Sequence, residues 1–247
     1  MAGIATLAVA LGSGAAGAIN MWYDADIDSV MKRTSTRPIP SGAVPRDEAL
    51  AMGLIMSGVS VLLMWLASNA LAAGLLALSI AYYGWFYTML LKRRTPQNIV
   101  VGGAAGAFPP VIGWAAVTGA TTLDAWLLFA IIFFWTPPHF WAISLFRKSE
   151  YDKAGFPMLP LTHGDDFTRR RIVLYALSMI PAALVPAVTG SLSLGYAAFG
   201  LLVCGWFVWL CVDLLRKQTN KAARRVMLGS LVQLHLLFTA MTVDLLL

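Results

Sequence analysis

DEALAMGLIMSGVSVLLMWLASNALAAGLLALSIAYYGWFYTMLL, residues 47–91, contains two apolar runs that are separated only by Ser68-Asn69-Ala70. No charged side chain follows Glu48 in this stretch. Each run is long enough to cross a bilayer, which takes roughly 20 residues in a helix. Runs of this length are too long for ordinary buried strands or short core helices. The stretch therefore predicts a hairpin of two transmembrane helices.

Apolar runs of the same kind recur along the whole chain. Its 247 residues are 59% apolar and only 12% charged, and the mean hydropathy is +0.72. These values exclude a soluble globular domain. We predict a single all-α, polytopic membrane domain over residues 1–247, a helical bundle embedded in the lipid bilayer. Its eight predicted spans are 1–19, 47–67, 71–91, 98–119, 123–146, 171–190, 194–215 and 224–246.

The connections between these spans alternate in character. The short, uncharged ones are 68–70, 120–122 and 190–193. All 18 Lys and Arg lie in or beside the others, at 20–46, 92–97, 147–171 and 216–225. The positive-inside rule then predicts that these basic connections face the cytoplasm or matrix. Orientation in a membrane also explains the net charge of +6 better than a nucleic-acid partner does.

Three acidic or amide side chains follow the first span at helical spacing. Asn20, Asp24 and Asp28 are four residues apart, so on a helix they share one face, while Asp26 points elsewhere. Carboxylate and amide oxygens at this density suit Mg²⁺, which takes one or two carboxylates and completes its shell with water and phosphates. The alternative is a solvated acidic helix end. Nearby cations favour a magnesium diphosphate, and they are Lys32, Arg33 and Arg37.

Two further connections on the same side of the membrane carry candidate site residues. Glu150 and Asp152 are candidate metal ligands in a second acidic loop, 147–170. The basic turn at 92–97 contains Lys92 and Arg93, which can supply charge and hydrogen-bond donors to phosphate oxygens. Positive-inside topology alone would explain the charge of this turn. We infer a functional role for it only because two acidic loops are predicted on the same side of the membrane.

Two spans contain proline pairs, Pro109-Pro110 and Pro137-Pro138. Because proline lacks an amide donor, we expect these helices to be broken and to line a cavity. His139 follows the second pair and lies between Trp135 and Trp141. An ionisable residue at this depth is either functional or a hydrogen-bonded packing residue, and the sequence leaves both readings open.

Four segments are similar, in order, to blocks of one enzyme family. They are NMWYDADIDSVMKRTSTRPIPSG (20–42), LKRRTPQNIVVGGAAGAFPPVIGWAAVTG (91–119), FFWTPPHFWAISL (133–145) and YDKAGFPMLPLTHG (151–164). On these blocks the chain resembles the protohaem IX farnesyltransferases, or haem O synthases, of the UbiA prenyltransferase superfamily. The family normally has nine spans, so we expect one preceding helix to be absent here. Glu150 stands where the family usually has aspartate.

The resemblance implies a reaction and a set of roles. The reaction is transfer of farnesyl from farnesyl diphosphate to a vinyl group of haem B, giving haem O and diphosphate with Mg²⁺. Metal and catalytic roles fall to Asn20, Asp24, Asp28, Lys92 and Arg93, with Glu150 or Asp152 as the opposing carboxylate. Diphosphate contacts are Lys32, Arg33, Arg37, Lys92, Arg93 and Lys153. Haem contacts are His139, Trp135, Trp141 and Tyr151, and a dry pocket would contain Trp22, Tyr23, Tyr87 and Trp135.

Two other functions compete with this interpretation. A UbiA enzyme with another acceptor, such as 4-hydroxybenzoate or chlorophyllide, would share the acidic motifs, although the TPPHFW block argues against it. A transporter would fit the hydropathy and the proline pairs but has no need of two carboxylate clusters on one surface. We expect a bacterial inner membrane protein, rather than a mitochondrial one, with haem A synthase as a partner.

Overall fold

A computed structural model describes residues 2–247, which are almost entirely helical and contain no β-strand. Eight of the helices within this range are long and apolar enough to cross a membrane, as the sequence predicts. The helices are α1 (Ala2–Tyr23), α2 (Ala25–Val30), α3 (Arg46–Ala67), α4 (Ala70–Ala81, continued by a π-helix, Tyr82–Leu91), α5 (Asn98–Thr118), α6 (Leu123–Phe146), α7 (Lys148–Lys153), α8 (Leu159–Thr162), α9 (Asp165–Val188), α10 (Leu194–Lys217) and α11 (Asn220–Leu246).

Two helices begin at least four residues earlier than their apolar runs. Helix α9 begins at Asp165 rather than at residue 171, and α11 begins at Asn220 rather than at residue 224. The α11 start is set by Thr219, whose side chain accepts a hydrogen bond from the amide of Ala222. Hydropathy locates the part of a helix that lies in lipid and not its end, so the charged first turns of α9 and α11 remain helical.

The prediction that the proline pairs break their helices is wrong. Helix α5 continues through Pro109-Pro110, and α6 continues through Pro137-Pro138. Next to the second pair, the hydroxyl of Thr136 donates to the carbonyl oxygen of Ile132 at 2.8 Å. Neighbouring side chains and small local adjustments can satisfy the backbone groups that proline leaves free, so a membrane helix tolerates the pair.

The helices form two compact units. The first unit contains the residues up to Ala125 together with Ser149–Pro157. Within it α1 packs along α3, and α4 packs against α3 and α5. The α1–α3 contact is close because Gly53 has no side chain, and a Cβ there would lie 2.9 Å from Ile19 Cγ1. Small residues of this kind allow membrane helices to approach one another.

The second unit contains Trp126–Lys148 and Met158–Leu247. Its helix α10 packs between α9 and α11. Phe207 and Cys211 are fully buried on α10, and Gly229 of α11 lets Leu210 Cδ1 come within 2.4 Å of where its Cβ would be. Cys204 is also buried, so both cysteines are packed, unpaired thiols.

Candidate active site in the first unit

The acidic motif lies where α1 gives way to the short helix α2. The chain bends at Asp24, yet the amides of Asp24 and Asp28 donate to the carbonyls of Asn20 and Asp24, at 2.9 and 2.8 Å. This preserves helical spacing across the bend, so all three side chains stay on one face as predicted. Asn20, Asp24 and Asp28 are 5%, 0% and 4% exposed. Buried carboxylates require charged or hydrogen-bonding partners, because an isolated buried charge is very costly.

The basic turn after the π-helix supplies the partners of Asp24. The ammonium group of Lys92 is in contact with Asp24 Oδ2, and Arg93 Nη2 donates to Asp24 Oδ1 at 3.0 Å. The ring of Tyr23 lies under the guanidinium group of Arg93, 4.6 Å from it. One carboxylate therefore receives two cations in the first unit, and removing it would leave the ammonium group of Lys92 without an ion-pair partner within residues 2–247.

Arg93 also binds Asp26, the carboxylate that the spacing places off the buried face. The Asp26 side chain is 64% exposed, and Arg93 Nη2 donates to its Oδ1 at 2.8 Å. The hydrogen bond from Arg93 holds the pKa of the Asp26 carboxyl below its ordinary value of 3.8, against a smaller opposing effect of burial. Asp26 thus helps to orient Arg93 while remaining in contact with solvent.

Asp28 has a separate cation, Arg37, from the loop that follows α2. Arg37 Nη1 donates to Asp28 Oδ2 at 2.7 Å. Thr34 is buried and holds this loop in place, because its hydroxyl donates to the carbonyl oxygen of Asp28 at 3.0 Å. The other two predicted diphosphate contacts in this loop, Lys32 and Arg33, are exposed and form no ion pair within residues 2–247.

Thr88 is a buried site residue that sequence reasoning missed. The amide nitrogen of Asn20 donates to Asp24 Oδ2 at 3.0 Å and to Thr88 Oγ1 at 3.1 Å. The Thr88 hydroxyl in turn donates to the carbonyl oxygen of Tyr83, five residues earlier, at 2.7 Å. This five-residue step belongs to the π-helix, a rare conformation that is often found at functional sites. The hydropathy of the sequence does not predict a π-helix.

An apolar cavity of about 240 Å³ lies between α1, α4 and α5 in the same unit. Small residues form much of its wall, including Gly12, Ala16 and Gly106. Tyr83 lines it, and the carbonyl oxygen of Tyr83 accepts the hydrogen bond from Thr88, which in turn contacts Asn20. The cavity therefore lies next to the residues that hold the acidic motif.

The second acidic loop belongs partly to the first unit, and an aromatic residue connects it to the basic turn. The Lys92 ammonium group lies 5.4 Å from the centre of the Phe156 ring, which packs edge-on against Tyr151. Asp152 and Lys153 are exposed, and Glu150 is partly buried. The loop is thus placed near the first motif, as predicted, while the roles of Glu150 and Asp152 stay predictions.

The predicted pocket aromatics have different surroundings. Arg46 covers the ring of Trp22 at 5.5 Å, so Trp22 and Tyr23 both contact cations. Tyr87 packs its ring directly on Gly102 of α5, where a Cβ would lie 2.3 Å from it. Only glycine permits this approach of the Tyr87 ring to the backbone of α5.

His139, Trp135 and Trp141 lie in the second unit. Trp135 stacks on His139, with ring centres 4.5 Å apart, and His139 Nδ1 lies 2.7 Å from Ser230 Oγ. Trp135 also donates to the carbonyl oxygen of Ser230 at 2.7 Å. Trp141 does not share this contact, because two helical residues turn it to another side of α6, where it packs edge-on against Tyr175. Haem contact by these residues, and by Tyr151, stays a prediction.

A preformed metal cluster is not found. Within residues 2–247, no three His, Cys, Asp or Glu side chains lie together as metal ligands. The buried carboxylates of Asp24 and Asp28 face cations instead. The carboxylates and the cationic side chains neutralise one another. Such a cluster is suited to an anionic ligand that binds together with a metal cation.

Residues 2–247 contain eight helices that are long and apolar enough to cross a membrane, and a buried cluster of carboxylates and cations. These features define a multi-pass membrane protein with a polar site at the end of its helices. The chain belongs to the UbiA prenyltransferase family, whose profile matches residues 1–238. A relative in Hyphomonas neptunium, named protoheme IX farnesyltransferase, is 63% identical and aligns with 99% of this chain and 80% of its own length. The relative of the same name in Acidiphilium cryptum is 53% identical over 97% of this chain and 78% of its own.

Solved structures agree on the fold. A structure described as digeranylgeranylglyceryl phosphate synthase in membranes superposes with a TM-score of 0.82 at 16% identity, over 98% of this chain and 84% of that one. A UbiA homologue from Archaeoglobus fulgidus, described as bound to GPP and Mg²⁺, gives a TM-score of 0.65 at 14% identity, over 98% and 87%. At these identities the similarity is one of fold.

Proposed function

We propose that this protein transfers the farnesyl group of farnesyl diphosphate to a vinyl group of haem B and releases diphosphate. Water then adds to the carbocation left on the former vinyl group, giving haem O and a proton. The names of the relatives, which are up to 63% identical over nearly the whole chain, support this choice of donor and acceptor. One observation carries the reaction class. Two buried carboxylates, Asp24 and Asp28, lie among three cationic side chains in the first unit.

The cations are the first part of the proposed mechanism. Lys92, Arg93 and Arg37 now neutralise Asp24 and Asp28. A diphosphate would offer them phosphate oxygens, to which guanidinium groups bind with two hydrogen bonds. Cleavage of the allylic carbon–oxygen bond leaves negative charge on the diphosphate, and cations positioned there stabilise that charge most strongly in the transition state.

The carboxylates released in this exchange fit Mg²⁺. Asp24 and Asp28 would hold the ion together with phosphate oxygens, because Mg²⁺ usually takes one or two carboxylates beside substrate phosphates. Asn20, on the same face, and Glu150 or Asp152, from the second loop, are further candidate ligands. Bound Mg²⁺ would lower the charge on the departing diphosphate. The two Archaeoglobus fulgidus structures, described with Mg²⁺ and either GPP or DMAPP, support a metal-dependent reaction.

The apolar part of the donor fits the cavity between α1, α4 and α5. That cavity has a volume of about 240 Å³ and an apolar lining, and Tyr83, which lines it, accepts the hydrogen bond of Thr88 beside Asn20. A site without water protects an allylic cation until the electron-rich vinyl group captures it. The faces of nearby aromatic rings attract such a cation.

The protein would lie in the inner membrane of a bacterium, with its basic connections facing the cytoplasm. Loops 20–46 and 147–170 would then form the active-site side of one prenyltransferase domain. Haem A synthase would be the partner that consumes the product.

The reaction can be tested with purified protein in nanodiscs. Haem B, farnesyl diphosphate and Mg²⁺ would be added, and farnesylated haem would be measured by mass spectrometry. We expect Mg²⁺-dependent haem O from the wild type and from Asp47→Asn, an exposed control at the start of α3, and at least about a 100-fold loss in Asp24→Asn.

The other outcomes are informative as well. Diphosphate release with 4-hydroxybenzoate or chlorophyllide, but not with haem B, would indicate a prenyltransferase whose acceptor is not haem B. Absence of any prenyl transfer from a folded sample, together with transport of a solute across vesicle membranes, would contradict the enzyme and favour the transporter.

A further inference from the structure

The net positive charge of the chain is confined to the second unit. The first unit contains eight Lys and Arg and eight Asp and Glu, so its formal charge is zero. The second contains ten basic and four acidic residues, which accounts for the whole net charge of +6. An asymmetry of this size is more than membrane orientation requires, because the positive-inside rule acts on every loop of that side.

All ten basic residues of the second unit lie at one end of its helices. Gln218, after α10, donates to Asp166 at the start of α9, with a distance of 3.2 Å. The guanidinium group of Arg224, near the start of α11, lies 5.3 Å from the ring of Phe146 at the end of α6. The fourth acid, Asp244, lies near the opposite end of α11, hydrogen-bonded to Ser193. This end therefore has ten cations and three acids.

The three acids at this end are already paired. Asp165 binds Lys148 at 2.8 Å, Asp166 binds Arg169 at 2.6 Å, and Asp213 binds Lys217 at 2.8 Å. Six exposed cations form no ion pair within residues 2–247, and together they are termed the basic end. They are Arg170, Arg171, Arg216, Lys221, Arg224 and Arg225.

We propose that the basic end binds the phosphate-containing headgroups of anionic phospholipids. Its cations lie on the terminal turns of membrane-spanning helices, at the depth where headgroups lie. Basic pockets between such helices on the cytoplasmic side are suited to anionic headgroups. Arginine forks can bind a phosphate with two hydrogen bonds.

Two aromatic contacts support a built surface rather than freely moving side chains. Arg171 lies 4.8 Å from the centre of the Phe167 ring, and Arg224 lies over Phe146. A guanidinium group held against an aromatic ring keeps its outer edge free for an anion. The connection between α10 and α11 is only Gln218-Thr219, so it holds the cations close to the membrane surface and favours a lipid over a soluble acidic protein.

The test compares lipid retention by purified full-length protein. The protein would be equilibrated in mixed micelles with equal amounts of phosphatidylglycerol and phosphatidylcholine, and the bound lipid would be counted by native mass spectrometry. The wild type is expected to retain phosphatidylglycerol preferentially. In the triple variant Lys221→Gln, Arg224→Gln, Arg225→Gln, the ratio of bound phosphatidylglycerol to bound phosphatidylcholine is expected to fall on the order of tenfold.

A charge-matched control separates this surface from net charge. The variant Lys32→Gln, Arg33→Gln, Arg94→Gln removes three exposed cations from the first unit and should keep the lipid preference. Arg170→Gln with Arg171→Gln provides a second variant of the basic end if the triple variant does not fold. Equal retention of both lipids by the wild type, or equal loss in the control variant, would overturn the proposal. Displacement of the lipid by millimolar pyrophosphate at constant ionic strength would also overturn it, because the surface would then bind free phosphates.

Discussion

At the scale of single residues, the site depends on how Asp24 is neutralised. This carboxylate is fully buried and receives Lys92, Arg93 and the amide of Asn20. A buried charge without partners is costly, so these contacts offset the cost of burying the Asp24 carboxylate. In the proposed mechanism, Lys92 and Arg93 exchange Asp24 for phosphate oxygens of the diphosphate. Each of these partners can be tested by a separate substitution.

Replacing Arg93 tests the exchange of partners. We expect Arg93→Gln to lower the rate of farnesyl transfer by about 10- to 100-fold, because one cation near the leaving diphosphate is lost while Lys92 remains. The neighbouring Arg94 is exposed and has no acidic partner within residues 2–247, so Arg94→Gln is the matched control. Steady-state kinetics with farnesyl diphosphate measure both, and equal activity of the two variants would contradict the assignment.

The same replacement has a pH signature at Asp26. Arg93 lowers the pKa of the Asp26 carboxyl, so their pairing adds stability above the unfolded pKa and is lost as the pH falls through the folded one. In Arg93→Gln we expect the pKa of Asp26 to rise toward its ordinary value of 3.8. An NMR titration of labelled aspartate measures it, and an unchanged value would show that Arg93 is not the cause.

Thr88 offers a test of the hydrogen bonds that orient Asn20. Thr88→Val keeps the shape but removes the hydroxyl, and we expect about a tenfold loss of activity, in line with one buried hydrogen bond. Thr88→Ser restores the hydroxyl and should recover most of the loss. Equal activity of the valine and serine variants would show that only the volume of residue 88 matters.

At the scale of the elements, the π-helix decides which side chains reach the site. Over Tyr82–Leu91 the chain winds more widely than an α-helix, and this places Thr88 toward Asn20 and Tyr87 on Gly102. Helix α5 must present a glycine there, because its backbone lies against the aromatic ring. The packing of two helices thus supports the geometry of the carboxylates.

Glycine substitutions on α5 test this packing. A Cβ on Gly102 would lie 2.3 Å from the Tyr87 ring, so Gly102→Ala should cost about 1–3 kcal/mol of stability through overpacking. Gly113 lies on the same helix with no atom within 4 Å of its Cβ position, and Gly113→Ala should be neutral or slightly stabilising. Thermal unfolding in detergent compares the two, and an equal effect of both would contradict the contact.

At the scale of the whole molecule, we predict that the charged connections lie on one side of the membrane. In a background of Cys204→Ser and Cys211→Ser, Ser35→Cys and Ser149→Cys should react alike with an impermeant maleimide, and Thr121→Cys should react from the other side only. Labelling of intact spheroplasts and of inverted vesicles measures this. Labelling of Ser35→Cys and Thr121→Cys from the same side would contradict the predicted topology.

The sequence by itself determined the number of candidate spans and the shared face of Asn20, Asp24 and Asp28. Each of these depends on spacing along one helix or on transfer from water to lipid, and both are local properties of the chain. The partners of Asp24, the hydroxyl of Thr88 and the separation of Trp141 from His139 were decided only by the tertiary structure. These contacts join residues from different helices, or depend on a π-helix whose winding is set by packing, so no periodicity in the sequence records them.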